Sequence, residues 1–127
     1  MSDKQIYCFW FDFCKTPINM ILVFKHIIPK KYCGLTIYPF IFIKTKKLKN
    51  DVVLLNHEKI HLQQQLELLW IFFFVWYLME YAFLLIKFRK HDMAYKNISF
   101  EKEAYTFEND LAYLNRRKPY SFLKFIR

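Results

Sequence analysis

Between Pro39 and Pro119 the chain contains neither a glycine nor a proline. Folds made of many short strands depend on such residues at their turns, so the sequence argues against a sandwich or barrel and towards long helices. The whole chain of 127 residues holds one glycine, Gly34, and four prolines. Its 55% hydrophobic and 21% aromatic content rules out disorder. The length suits one domain, residues 1–127, divided into an apolar and aromatic N-terminal segment (1–33), a core (34–117) and an amphipathic basic tail (118–127). The expected class is mainly α with a short β element.

The amino terminus, MSDKQIYCFWFDFC, lacks a clean apolar stretch because Asp12 interrupts it, which argues against a secretory signal. Cys8, Cys14 and Cys33 are odd in number and form no CxxC pair, so neither a disulfide framework nor a zinc knuckle is expected. Leu35 to Ile43 is rich in β-branched and aromatic residues and reads as a strand, which Pro39 confines to a sheet edge or a bulge. A basic turn, Lys44 to Asn50, leads to Asn50 or Asp51 as the N-cap of a helix opening Val52-Val53-Leu54-Leu55. Leu68–Ile86 is apolar apart from Glu80, and as one helix of 19 residues it would measure about 28 Å. A polar, irregular interval, His91–Ser99, then precedes a second helix capped by Ser99 and running to about Asn115.

The sharpest motif is His57-Glu58-Lys59-Ile60-His61. Helical positions i and i+4 share a face, so both imidazoles can bind one Zn²⁺, with Glu58 beside them as a base for a water molecule. Composition alone predicts roughly 0.006 occurrences of this pattern in such a chain. A catalytic zinc needs a third protein ligand and an open position, and Glu101 in Glu101-Lys102-Glu103-Ala104-Tyr105 is the candidate. Glu103 is its substitute should Glu101 point away.

An HExxH helix followed by a downstream ExxA helix resembles the gluzincin class of zinc metallopeptidases, in the minimal forms of membrane-associated bacterial and CAAX-processing peptidases. The wording LLNHEKIHLQQQLELL with AYKNISFEKEAYTFE is also similar to a family of small uncharacterised bacterial proteins. The likeness spans about residues 35–117, and its specific parts are His57–His61 and Glu101–Tyr105. It implies His57, His61 and Glu101 as zinc ligands, Glu58 as general base and a peptide or protein as substrate. It also implies an HExxH helix packed on the ExxA helix beside an edge strand, with the long apolar helix between them in the chain. The pattern departs at Tyr105, where such peptidases have an Asp that orients a ligand histidine; a phenol accepts an imidazole N–H less strongly.

The remaining polar residues read as structural. Glu67 and Glu108 are expected in structural roles, His91 in solvent, His26 at an interface, and Gln63–Gln65 on a solvated helix face. Glu80, alone in an apolar run, needs a partner or a water-filled cavity.

The formal charge of +9 fits an anionic membrane surface or a nucleic acid. The basic residues are dispersed and no recognition motif accompanies them, which disfavours nucleic acid. The amphipathic tail Tyr120–Arg127 suits an interfacial anchor. A single membrane crossing by Leu68–Ile86 would separate the histidines from Glu101, so that crossing and a shared metal exclude each other. The zinc reading requires the run to be a core helix, a surface hairpin, or a helix that the segment 87–100 retraces. The expected location is membrane-associated on the cytoplasmic side, with a soluble cytoplasmic protein as alternative. The rival functions are a non-enzymatic small membrane protein and a catalytically weak relative with a structural zinc.

Overall fold

The computed structural model describes residues 20–26 and 28–126, so the expectations for Cys8, Cys14 and the stretch before Met20 fall outside the described residues. Three short strands, β1 (Met20–Val23), β2 (Gly34–Ile37) and β3 (Phe40–Ile43), form one sheet in the order β1-β3-β2. β1 runs parallel to β3, and β2 antiparallel to it with Gly34 opposite Ile43. The single strand expected over Leu35–Ile43 is therefore a hairpin. Its turn is Tyr38-Pro39, joined by a cis peptide bond, and a place in the turn keeps the residue without an N–H out of the ladder. β2 is left at the sheet edge, and Ile41 and Ile43 of β3 bury against Leu62.

A 3-10 turn, Lys46–Asn50, leads into α1 (Val52–Glu67). Of the two expected caps it is Asp51 that serves, its side chain accepting the Leu54 N–H at 3.0 Å. The inward face of α1 is unusually polar: Asn56, His57, Glu58, His61, Gln64 and Gln65 are all buried beside Ile60 and Leu62. α1 packs on both β2 and α4 (Ser99–Phe107).

The apolar run is not continuous with α1. Leu69 takes a left-handed φ of 49°, and a new helix, α2 (Ile71–Phe88), begins beyond it. Arg89, also left-handed at φ 54°, ends α2 while its N–H reaches the Leu85 carbonyl at 2.8 Å. α2 is long and apolar enough to cross a membrane, yet only 11% of it is buried inside the protein. It is one unbroken helix, so a surface hairpin does not describe it, and it gives the interior only Phe73 and Leu84 as fully buried residues.

The chain then retraces. The interval read as irregular forms a helix, α3 (His91–Asn97), with Asp92 in its first turn. Ser99 is the first residue of α4 rather than its cap: Ile98 precedes the helix, and Glu80 of α2 accepts both the Ser99 N–H (3.0 Å) and its hydroxyl (2.7 Å). This is the partner that Glu80 requires, a carboxylate at a helix N-terminus. α4 stops at Phe107, well short of Asn115, because Asp110 turns the chain by accepting the Ala112 N–H at 3.2 Å. A short α5 (Tyr113–Arg116) and a 3-10 turn (Ser121–Phe125) follow. The tail is split between two environments. Phe122 is buried against Phe100 at 4.4 Å between ring centroids, while Leu123 and Ile126 stay exposed. Phe100, Phe73 and Leu84 of α2, Ala94 and Ile98 complete that core.

The described fold is thus mainly helical with a small three-stranded sheet. The HExxH helix lies on the ExxA helix with the edge strand alongside, as the resemblance implied.

Candidate metal centre

Two helices bring three ligand atoms to one point. His57 and His61, one turn apart on α1, present their Nε2 atoms 3.1 Å from each other. Glu101, in the first turn of α4, places Oε2 3.5 Å from each of those nitrogens. All three residues are buried, and together they can hold a metal ion.

The surroundings decide which way each ring faces. His57 Nδ1 lies 3.0 Å from Oε2 of Glu108, a carboxylate that can only accept, so Nδ1 carries the proton and Nε2 turns a lone pair inward. His61 Nδ1 lies 2.8 Å from Oε1 of Gln64. The Gln64 amide is itself oriented, because its Nε2 donates to the Phe100 carbonyl (3.1 Å) and to Glu103 (3.0 Å). Its oxygen is therefore left to accept from His61, and again the lone pair on Nε2 faces Glu101. Tyr77 of α2 donates to Oε1 of Glu101 at 2.8 Å and fixes that carboxylate.

Glu101 Oε2 is the one buried side-chain polar atom among the described residues without a hydrogen-bond partner. Two imidazole lone pairs and an unpartnered carboxylate oxygen within 3.5 Å repel one another unless a proton or a cation lies among them. Without metal the protons respond accordingly. Burial opposes a charge on His61, but the Glu101 carboxylate outweighs it and pushes the imidazole up to about 9. Burial likewise works against ionised Glu101, and the two histidines overcome it and hold the carboxyl well below the usual range. The orphaned oxygen, the inward lone pairs and the nitrogen–nitrogen–oxygen donor set all fit a divalent cation.

Glu58, next to His57 in the motif, is buried against the edge strand. The Thr36 hydroxyl hydrogen-bonds its Oε2, and a methyl group added at Gly34 would come within 2.4 Å of its Oε1. The only glycine in the chain thus sits where the glutamate of the motif needs room. Glu58 is close enough to His61 for its charge to favour the imidazolium.

Several expectations change here. Glu103 does not stand in for Glu101. It is fully buried in an ion pair with Arg117, and it also accepts the Tyr113 hydroxyl at 2.7 Å. Gln64 and Gln65 are not on a solvated face but at 0% and 1% exposure, and both bond within the interior. Glu108, expected in a structural role, is the carboxylate beside His57 Nδ1. Tyr105 packs its ring edge-on to His57, with centroids 4.7 Å apart. His91 is exposed as expected, and it also bonds the phenols of Tyr32 (2.9 Å) and Tyr81 (2.7 Å). Glu67 is structural, paired with buried Arg117. The contacts of Glu108, Gln64 and Tyr77 with the three residues of the site are not visible in the sequence. The one signal for Glu108 was its position one turn beyond Tyr105 on the same helical face.

Comparison with protein-family models, with curated proteins and with solved structures gives no match for this chain.

Proposed function

We propose that the protein is a zinc-dependent hydrolase, a peptidase of gluzincin-like design, working at the cytoplasmic face of a membrane. The observation that carries this reading is the convergence of His57 Nε2, His61 Nε2 and the unpartnered Glu101 Oε2, separated by 3.1, 3.5 and 3.5 Å. Donors bound tetrahedrally at 2.0–2.2 Å, as on zinc, stand about 3.3 Å apart. These three would hold the ion, leaving a fourth position open.

When bound, zinc supplies a Lewis acid that acidifies water and polarises a carbonyl. Glu58 then accepts a proton from the attacking water and can return it to the leaving amine. The Thr36 hydroxyl and the gap at Gly34 hold the carboxylate of Glu58 in one orientation. Glu108 and Gln64 keep both imidazoles in the tautomer that offers Nε2.

A second reading keeps the zinc without catalysis. It is favoured by Gln65, whose amide donates to the Thr36 carbonyl and accepts the Tyr38 N–H, both at 2.8 Å. Those groups belong to the outer edge of β2, where an extended peptide would pair.

Metal analysis tests the proposal. Protein purified without chelator should carry close to one zinc per chain, and His57→Ala with His61→Ala none. Metal-free wild-type protein overturns both readings. Glu58→Gln separates them, because it should retain zinc and abolish peptide hydrolysis. Wild-type protein that holds zinc but cleaves no peptide leaves only the second.

A further inference from the structure

The two faces of α2 are made for different surroundings. Phe73, Tyr77, Glu80, Tyr81 and Leu84 turn inward, three of them hydrogen-bonded to Glu101, Ser99 and His91. The outward positions from Ile71 to Ile86 are all apolar, with Phe72, Leu78, Met79, Phe83 and Ile86 each more than 60% exposed. An unbroken apolar face along a helix of 18 residues requires a covering.

We infer that α2 lies in the plane of an anionic membrane, its outer face sunk into the lipid and its inner face supporting the metal centre, without crossing the bilayer. This deepens the membrane clause of the proposed function and rests on it, but does not depend on the hydrolase chemistry.

The orientation follows from what is tied to the middle of the helix. Glu101 is level with Tyr77, Ser99 with Glu80 and His91 with Tyr81. Were α2 to cross, the His57–His61–Glu101 cluster and the exposed charges Asp92 and Lys96 of α3 would stand at hydrocarbon depth. Charges there are rare and costly. Laid in the plane, the same helix buries only apolar side chains and leaves all of these groups on the water side. Charge selects lipid over a second copy of the chain. Lys87, Arg89 and Lys90 follow directly on the apolar face, and the chain carries +9, so two copies repel while anionic headgroups attract. Trp70 and Trp76, both exposed, are of the type enriched at membrane interfaces.

The test uses the full chain with vesicles of phosphatidylcholine alone or with roughly 30% phosphatidylglycerol, and binding should be at least about tenfold tighter to the anionic vesicles. Leu78→Glu with Phe83→Glu should remove that binding while zinc content stays at the wild-type level, so docking and metal binding are read separately. Depth is read by brominated lipids quenching single tryptophans at Phe72, Met79 or Ile86, with Trp10, Trp70 and Trp76 changed to Phe. All three reporters should lie at one shallow depth. A reporter at 79 much deeper than those at 72 and 86 means a crossing helix and overturns the inference. So does wild-type vesicle binding by the double variant. Absence of vesicle binding overturns it as well; if the chain then self-associates and the double variant is monomeric, a second copy covers the face.

Discussion

The Nδ1 of His57 and Oε2 of Glu108 lie 3.0 Å apart, across 51 residues of sequence. This contact gives the first histidine of the motif the carboxylate partner that position 105, a tyrosine, does not provide. Partners of this kind fix the tautomer and raise the basicity of the ligand, and losing one costs about 10–100-fold in metal affinity. Glu108→Ala is therefore expected to weaken zinc binding by about that factor. Glu108→Gln should fall between variant and wild type, since an amide oxygen still accepts the N–H. Competition against a chelator of known affinity measures both. Equal affinity in all three proteins would sink the role given to Glu108.

What the sequence made legible was mostly local. His57 and His61 declare themselves because four residues along a helix is one turn, and Asp51 because a cap acts within three residues. The contacts that complete the site are not local. Glu108 reaches His57 across 51 residues and Tyr77 reaches Glu101 across 24, distances at which no periodicity carries information. Turns were hidden for another reason. Leu69, Arg89 and Tyr120 all adopt positive φ, so the chain bends in left-handed conformations without the glycine that normally marks them. No glycine marks the break before α2 or the stop after it, and only the apolar limits of Leu68–Ile86 place them, to within a few residues. Polarity misled in α1, where Gln64 and Gln65 are buried because each finds partners inside.

Arg117 joins the C-terminal segment to the core through two buried carboxylates. Its side chain is 1% exposed, Glu67 7% and Glu103 0%. Removing the cation leaves two uncompensated charges in the interior, a loss of about 3–5 kcal/mol. Arg117→Met should lose that much stability in urea unfolding. Changing Glu67, Glu103 and Arg117 together to Met should recover part of it, because no buried charge then remains. A single variant as stable as wild type would show that the network contributes nothing.

Asp51 starts the helix that holds both histidines. Its carboxylate accepts the Leu54 N–H at 3.0 Å and so satisfies one of the free donors at the helix start. Asp51→Ala should cost about 1 kcal/mol and Asp51→Asn much less, since asparagine caps comparably. Urea unfolding distinguishes the two, and equal losses would show that charge rather than capping geometry matters there.

Gly34 offers the most direct probe of Glu58. A methyl group at this position would lie 2.4 Å from Oε1 and 2.9 Å from Cδ of the glutamate. The atom in the way is the end of a flexible side chain, so the fold can yield by moving it, at a cost of no more than about 1–3 kcal/mol. The carboxylate, however, is aimed by the Thr36 hydroxyl, and displacing it moves the proposed base away from the water it must deprotonate. Misplacement of about 1 Å at a reacting group costs roughly 100-fold in rate. Gly34→Ala is thus expected to keep its zinc, lose modest stability and lose about two orders of magnitude in peptide hydrolysis. The three ligand atoms come from α1 and α4, so metal content should not follow activity downward. If Gly34→Ala hydrolyses peptides as fast as wild type, Glu58 is not the base in this fold. If it loses zinc in proportion to activity, the glycine serves the architecture of the site rather than the aim of Glu58.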